Sequence, residues 1–141
     1  RATLATARLM INSGKSTLPK QPKRIVLAFQ PHRYSRTQQF LKDFAQALGG
    51  ADCILLAPIF EAGETAIQGI NSQELAKQIQ LLYPNLPIKV ASSLEELTTL
   101  LKKISVNQDL VITMGAGNIT SLWERLTTKS DTKQCLSDLA A

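Results

Sequence analysis

The sequence is sparing with the residues that usually advertise a function. It has two cysteines, one histidine and one tryptophan in 141 residues, and aromatic side chains make up 5%. Cys53 and Cys135 lie far apart, one in an apolar run and one in a polar tail, and no Cys-x-x-Cys pair occurs. That excludes a disulfide framework and a cysteine zinc site, and it suits a reducing, cytoplasmic setting. Long hydrophobic runs are missing too. The longest, Cys53 to Phe60, contains Pro58 and falls far short of the roughly 18 apolar residues of a membrane span, so no membrane partner is expected. No basic segment followed by an apolar signal core stands at the amino end, and the chain opens on Arg1 rather than Met, so a piece of a longer protein is expected. Acids are scarce at the front. Through Asp43 there are nine bases and that single acid, a net +8, whereas the remainder carries seven bases and ten acids, a net −3. A basic front can hold nucleic acid, phosphate or a carboxylate, although most surface Lys and Arg are merely solvated.

What is present suffices for one globular domain: 44% apolar and 19% charged residues at a common single-domain length. Arg1 to Ile11 reads as a helix stopped by Asn12, Ser13 and Gly14. Arg24 to Phe29, RIVLAF, is a continuous apolar run with β-branched residues, the form of a strand buried on both faces. Pro31 holds the next residues out of helix. Ser35 and Gln38 predict a capping box, and Phe40, Phe44 and Leu48 predict one buried helix face that Gly49-Gly50 ends. The unit then recurs. Cys53–Pro58 predicts a strand, a Gly- and Glu-rich loop runs to Ile70, and Leu75, Ile79 and Leu82 mark a helix before Pro84. Ile88–Ala91 predicts a strand, Ser93 and Glu96 a second capping box, and Leu94, Leu97, Leu101 and Ile104 the inward face of its helix. A last strand at Asp109–Met114 leads through Gly115-Ala116-Gly117 to a helix reaching about Thr127. Four strands alternating with helices predict a Rossmann-like α/β fold, with a mostly parallel sheet and helices on both faces. Residues 1–127 form the domain, and residues 128–141 a polar, flexible tail.

Two glycine motifs fail as nucleotide signatures. Gly14-Lys15-Ser16-Thr17 lacks the Gly a P-loop needs five places earlier, where Leu9 stands, and it follows a helix instead of a strand. Gly115-Ala116-Gly117 has Thr120 at the third fingerprint position and follows the last strand, not the first. The fold is therefore expected without a dinucleotide fingerprint, and this turn reads as either a tight turn or the wall of a site at the carboxyl edge of the sheet. Glu61 and Glu64 read as solvated loop acids, and Trp123 as a packing residue. The informative segment is Phe29-Gln30-Pro31-His32-Arg33-Tyr34-Ser35-Arg36-Thr37. It places the one histidine and two arginines three apart at a helix start beyond the first strand. Guanidinium forks beside the positive end of a helix favour an anion. Asp43 is the single acid in the first 51 residues, so Arg33 and Arg36 must find a partner in a distant part of the fold, another domain or a ligand.

The run FQPHRYSRT, with Ala62-Gly63-Glu64 after the second strand and Met114-Gly115-Ala116-Gly117-Asn118 near the end, resembles the third, C-terminal domain of the Mur ligases. The likeness covers roughly residues 1–126 and is closest to the members that join L-alanine to UDP-N-acetylmuramate in peptidoglycan synthesis. It implies a three-domain enzyme. The absent N-terminal domain would hold the UDP-sugar, and the absent central domain ATP and Mg2+ on a true P-loop. The third domain would bring the amino acid. By the same likeness ATP activates the muramoyl carboxylate as an acyl phosphate, which the alanine amine attacks through an anionic tetrahedral intermediate. Arg33 and Arg36 would be catalytic and substrate-binding, as preorganised cations for that charge. His32, Gly115, Ala116 and Gly117 would be substrate-binding, with the small residues leaving room for a methyl group. No metal ligand and no cofactor-binding residue is assigned in this chain. Pro58 and Phe60 stand where the family pattern has Asp and Tyr. The isolated domain is expected to be inactive in ligation and ATP hydrolysis. The alternative is a phosphate- or nucleic-acid-binding α/β module using Phe29, Tyr34 and Phe40 as stacking surfaces. Phe40 lies on the expected core face and the bases form no dense run, so nucleic acid is not an expected partner.

Overall fold

In the computed structural model residues 2–13 and 21–127 are described. Residues 14–17 and the tail from Thr128 lie outside them. Helix α1 (Ala2–Ser13) precedes strand β1 (Arg24–Gln30), followed by α2 (Tyr34–Gln39), α3 (Leu41–Leu48) and β2 (Cys53–Leu56). Then come α4 (Ser72–Leu82), β3 (Ile88–Val90), α5 (Leu94–Ile104), β4 (Asp109–Gly115), a 3-10 turn (Asn118–Ser121) and α6 (Leu122–Thr127). The four strands form one sheet in the order β3-β2-β1-β4, and every pairing is parallel.

Alternation along β1 builds two cores. Ile25, Leu27 and Phe29 pack with Leu4 and Ala7 of α1, Ala45 and Leu48 of α3, and Leu75 and Ile79 of α4. Val26 and Ala28 face the other way, against Leu97 and Leu101 of α5, Ile119, and Leu122 and Leu126 of α6. Successive side chains of a strand point to opposite faces, so an uninterrupted apolar run requires helices on both. The α/β layering with a parallel sheet is as the sequence implied. β4 is an edge strand in this sheet and stays half-buried along most of its length. Its start is fixed by Arg24, whose Nε and Nη2 donate to Asp109 at 3.0 and 2.6 Å.

Half of the Ser93–Glu96 box forms: Ser93 Oγ accepts the Glu96 amide at 3.1 Å, while the Glu96 carboxylate accepts from the Ser92 amide and hydroxyl and not from the Ser93 amide. Asn71 caps α4 in the same way by accepting the Glu74 amide. The first capping box does not form. Arg33, not Ser35, precedes the helix, and it has no side-chain cap. The helix is also broken at Phe40, where φ is −110° and ψ is 20°. The break serves two demands at once, since α2 is tied to a distant loop while α3 must bury Ala45 and Leu48. Phe40 and Leu82, both expected on buried faces, are 37% and 48% exposed.

Candidate functional site

The site is built where β1, β2 and β4 end together. Beyond β1 the Phe60 amide donates to Pro31 O at 2.9 Å and the Arg33 amide to Phe60 O at 2.8 Å. This adds one parallel rung, His32 opposite Phe60, past the regular strands. The two rings stack at 5.8 Å and 11°. Arg33 then turns the chain with φ 64° and ψ 140°, a conformation costing of order 1–3 kcal/mol for a non-glycine residue. It is held by the bond from its amide and by its carbonyl, which accepts the Thr37 amide at 3.1 Å and the Thr37 hydroxyl at 2.8 Å.

Arg33 and Arg36 are both exposed, and among the described residues neither has an ion-pair partner. They border, with His32, Ser35, Gln39 and Phe40, an open hollow of about 350 Å³. The start of α2 is no longer vacant for a ligand. Ser35 donates its amide at 3.0 Å and its hydroxyl at 2.6 Å to the Glu64 carboxylate, and Tyr34 donates its phenol to Glu61 at 3.1 Å. The Ser35 hydroxyl, then its amide, and more weakly the charge of Arg33 hold the Glu64 carboxyl below the ordinary glutamate range. Burial, and then the bond to Glu61, push the Tyr34 phenol up. The two loop acids are thus engaged with the site segment, where the sequence suggested that they were solvated. The positive groups left for an anion are the guanidiniums.

The glycines answer to neighbours within the chain. Gly115 lies opposite Gln30 in the ladder. A Cβ there, at φ 142°, would stand 2.4 Å from Gln30 O. At Gly117, φ 122°, a Cβ would stand 2.5 Å from Phe60 Cγ. The room above Gly117 is therefore filled by the Phe60 ring, so His32 and the Gly115–Gly117 turn meet through that ring and not across an open gap. Ala116 is exposed. Gln30, 4% exposed, ties the turn in place by donating to Asn118 Oδ1 at 2.9 Å and to Pro58 O at 3.4 Å.

Phe60, Gln30 and Asn118 were missed as a unit because their contacts cross the fold. The one local signal was a polar glutamine closing an apolar strand. A larger hollow, about 510 Å³, lies on the other side of Phe60 among Gln30, Glu61, Ser93 and Asn118, with the Glu95–Arg125 pair at its border. It contains neither Arg33 nor Arg36, which border the smaller hollow. Trp123 packs, donating Nε1–H to Thr113 at 3.0 Å. Among the described residues no group of three or more His, Cys, Asp or Glu comes together that could hold a metal, and no helix is long and apolar enough to cross a membrane.

The model of the Mur ligase glutamate ligase domain matches residues 2–117. The chain belongs to the Mur ligase family. Relatives of this Mur ligase domain include the UDP-N-acetylmuramate--L-alanine ligase of Prochlorococcus marinus (strain MIT 9313), 56% identical over 99% of the chain and 29% of the relative. The protein of the same name from Synechococcus sp. (strain CC9311) is 57% identical over 89% of the chain and 26% of its own length. The chain thus spans less than a third of these relatives. A crystallised domain from Haemophilus ducreyi 35000HP, provisionally assigned to a UDP-N-acetylmuramate:L-alanyl-γ-D-glutamyl-meso-diaminopimelate ligase, superposes with a TM-score of 0.54. It covers 90% of this chain and 80% of its own at 16% identity, a likeness of fold.

Proposed function

We propose that this Mur ligase domain presents L-alanine in a cytoplasmic, ATP-dependent ligase that joins it to UDP-N-acetylmuramate in peptidoglycan synthesis. The observation that carries the reading is the pair Arg33 and Arg36, exposed and without ion-pair partners among the described residues, beside His32 at the carboxyl edge of a parallel sheet. Ligands of open α/β sheets bind at that edge. The names of the relatives support the substrate. The alanine nitrogen forms a bond to the activated muramoyl carbon, the carbon–oxygen bond to phosphate breaks, and negative charge collects on the carbonyl oxygen in between. The planar guanidiniums of Arg33 and Arg36 match the carboxylate of the amino acid or that developing charge. His32, stacked on Phe60, lines the same hollow, and the Gly115–Ala116–Gly117 turn approaches Phe60 at Gly117.

By the family likeness ATP and Mg2+ are held mainly by the central domain of the longer enzyme and the UDP-sugar by its N-terminal domain, and in this reading the chain alone is inactive in ligation and ATP hydrolysis. The test is Arg33→Ala and Arg36→Ala in the intact ligase. Loss of a charge-assisted contact is worth roughly 1.5–3 kcal/mol, about 10- to 150-fold in kcat/KM for alanine or ATP. The melting temperature should hardly move, and lysine should rescue poorly. Normal kinetics in both variants would remove the anion site from the proposal.

A further inference from the structure

We propose that Glu64 is a positioning residue, which fixes the backbone between Arg33 and Arg36 so that both guanidiniums face one ligand. The inference rests on the anion role of those arginines and adds to it the means by which they are aimed. Helix α2 is six residues long with no side-chain cap of its own, and helices so short are marginal without outside support. Arg33 immediately precedes α2 and Arg36 is its third residue. The support comes from the β2–α4 loop. Glu64 takes the Ser35 amide at 3.0 Å and the Ser35 hydroxyl at 2.6 Å, while Phe60 brackets the preceding residues by bonds to Pro31 and Arg33. Between these two anchors lies Arg33 at φ 64°, a strained conformation that persists only where the surroundings over-determine it. A carboxylate suits the position, since it accepts both Ser35 donors and puts a negative charge near Arg33. Glutamine has a similar shape and holds Ser35 more weakly: its one oxygen can accept the Ser35 amide, its NH2 meets the hydroxyl only with that hydroxyl turned to accept, and the charge is gone.

The experiment is a double-mutant cycle in the intact ligase, with Glu64→Gln, Arg33→Ala and the pair, following kcat/KM for alanine and the melting temperature. Glu64→Gln should lower kcat/KM about 5- to 20-fold, and in the Arg33→Ala background it should cost clearly less, about 2- to 4-fold, because Arg36 alone is then left to aim. A merely structural residue would give the same factor in both backgrounds. Ser35→Ala removes the hydroxyl bond from the other side and should act in the same direction with a smaller factor, so the test survives if Glu64→Gln folds poorly. Unchanged or raised activity in Glu64→Gln, or losses that multiply independently, would overturn the positioning role. Normal activity of both Arg33→Ala and Arg36→Ala would instead overturn the anion site itself, so the two failures are distinguishable.

Discussion

Replacing Gly117, an exposed residue, by alanine should destabilise the domain as much as many core substitutions do. Two costs can be separated. At φ 122° any L side chain is strained, which is worth of order 1–3 kcal/mol. The new Cβ would also stand 2.5 Å from Phe60 Cγ and 2.9 Å from Phe60 Cβ. The aromatic ring cannot simply swing aside, because it is stacked on His32 and its backbone is bonded to Pro31 and Arg33. Forcing it away resembles overpacking, roughly 1–3 kcal/mol more, so the total is about 2–6 kcal/mol. Urea unfolding of the 141-residue chain reads the cost, and Gly63→Ala is the control. Gly63 has φ 83° but nothing within 4 Å of the added Cβ, so it should lose the strain alone. In a Phe60→Ala background the clash with the ring is gone, while the strain and the 2.9 Å approach to the remaining Cβ persist, so the excess at Gly117 should shrink. An excess unchanged without the Phe60 ring would refute the argument, as would a Gly117→Ala no costlier than Gly63→Ala.

Asp109→Ala should cost about 1–3 kcal/mol in the same assay, since it removes both bonds from Arg24 and the bond from the Val106 amide, with Arg24 itself 38% exposed and partly rehydrated. Glu64 and Glu96 carry carboxyls below the ordinary glutamate range, each chiefly through a serine hydroxyl. Their contribution is therefore present above the unfolded glutamate pKa and is lost as pH falls through the lower folded values. Carboxyl carbon NMR titration should place both midpoints below that of an unstructured glutamate, and a midpoint at or above it would contradict the bonds to Ser35 and Ser92.

The sheet was legible because burial on two faces writes itself into a strand as an unbroken apolar run, as in Arg24–Phe29, whose partner strands show the same signature. Strand order was not legible. Asp109–Gly115 is as apolar as β1, yet it lies at an edge of this sheet, half-buried, and nothing local distinguishes the two positions. The capping boxes make the limit sharper. Ser93 caps its helix by accepting the Glu96 amide, as the spacing implied, whereas Ser35, at identical spacing from Gln38, does not cap. Glu64 lies 29 residues further along and offers Ser35 a charged acceptor that Gln38 cannot match, so a tertiary bond displaces the local one. Nothing in the sequence marks Phe60 as the residue that touches His32, the Arg33 backbone and Gly117 at once, because those contacts are made across the fold.

The division between scaffold and site follows from the same geometry. The inner strands carry the buried bulk, with Ile25, Leu27, Ile54 and Leu56 all at 0% exposure, and changes there should appear first in stability. Arg33 and Arg36 are exposed, and among the described residues they have no ion pair to lose. A cation at the start of a helix gains nothing from the helix dipole. The fold therefore has little use for either guanidinium, while it spends strain at Arg33 and two loop anchors on holding them. Parallel register sets where this happens: pairing Gln30 with Gly115 and Phe29 with Leu56 brings three loops to one edge. Phe60 can then touch both His32 and the Gly117 turn, and the stiffness of the sheet is transmitted to side chains that have no packing of their own.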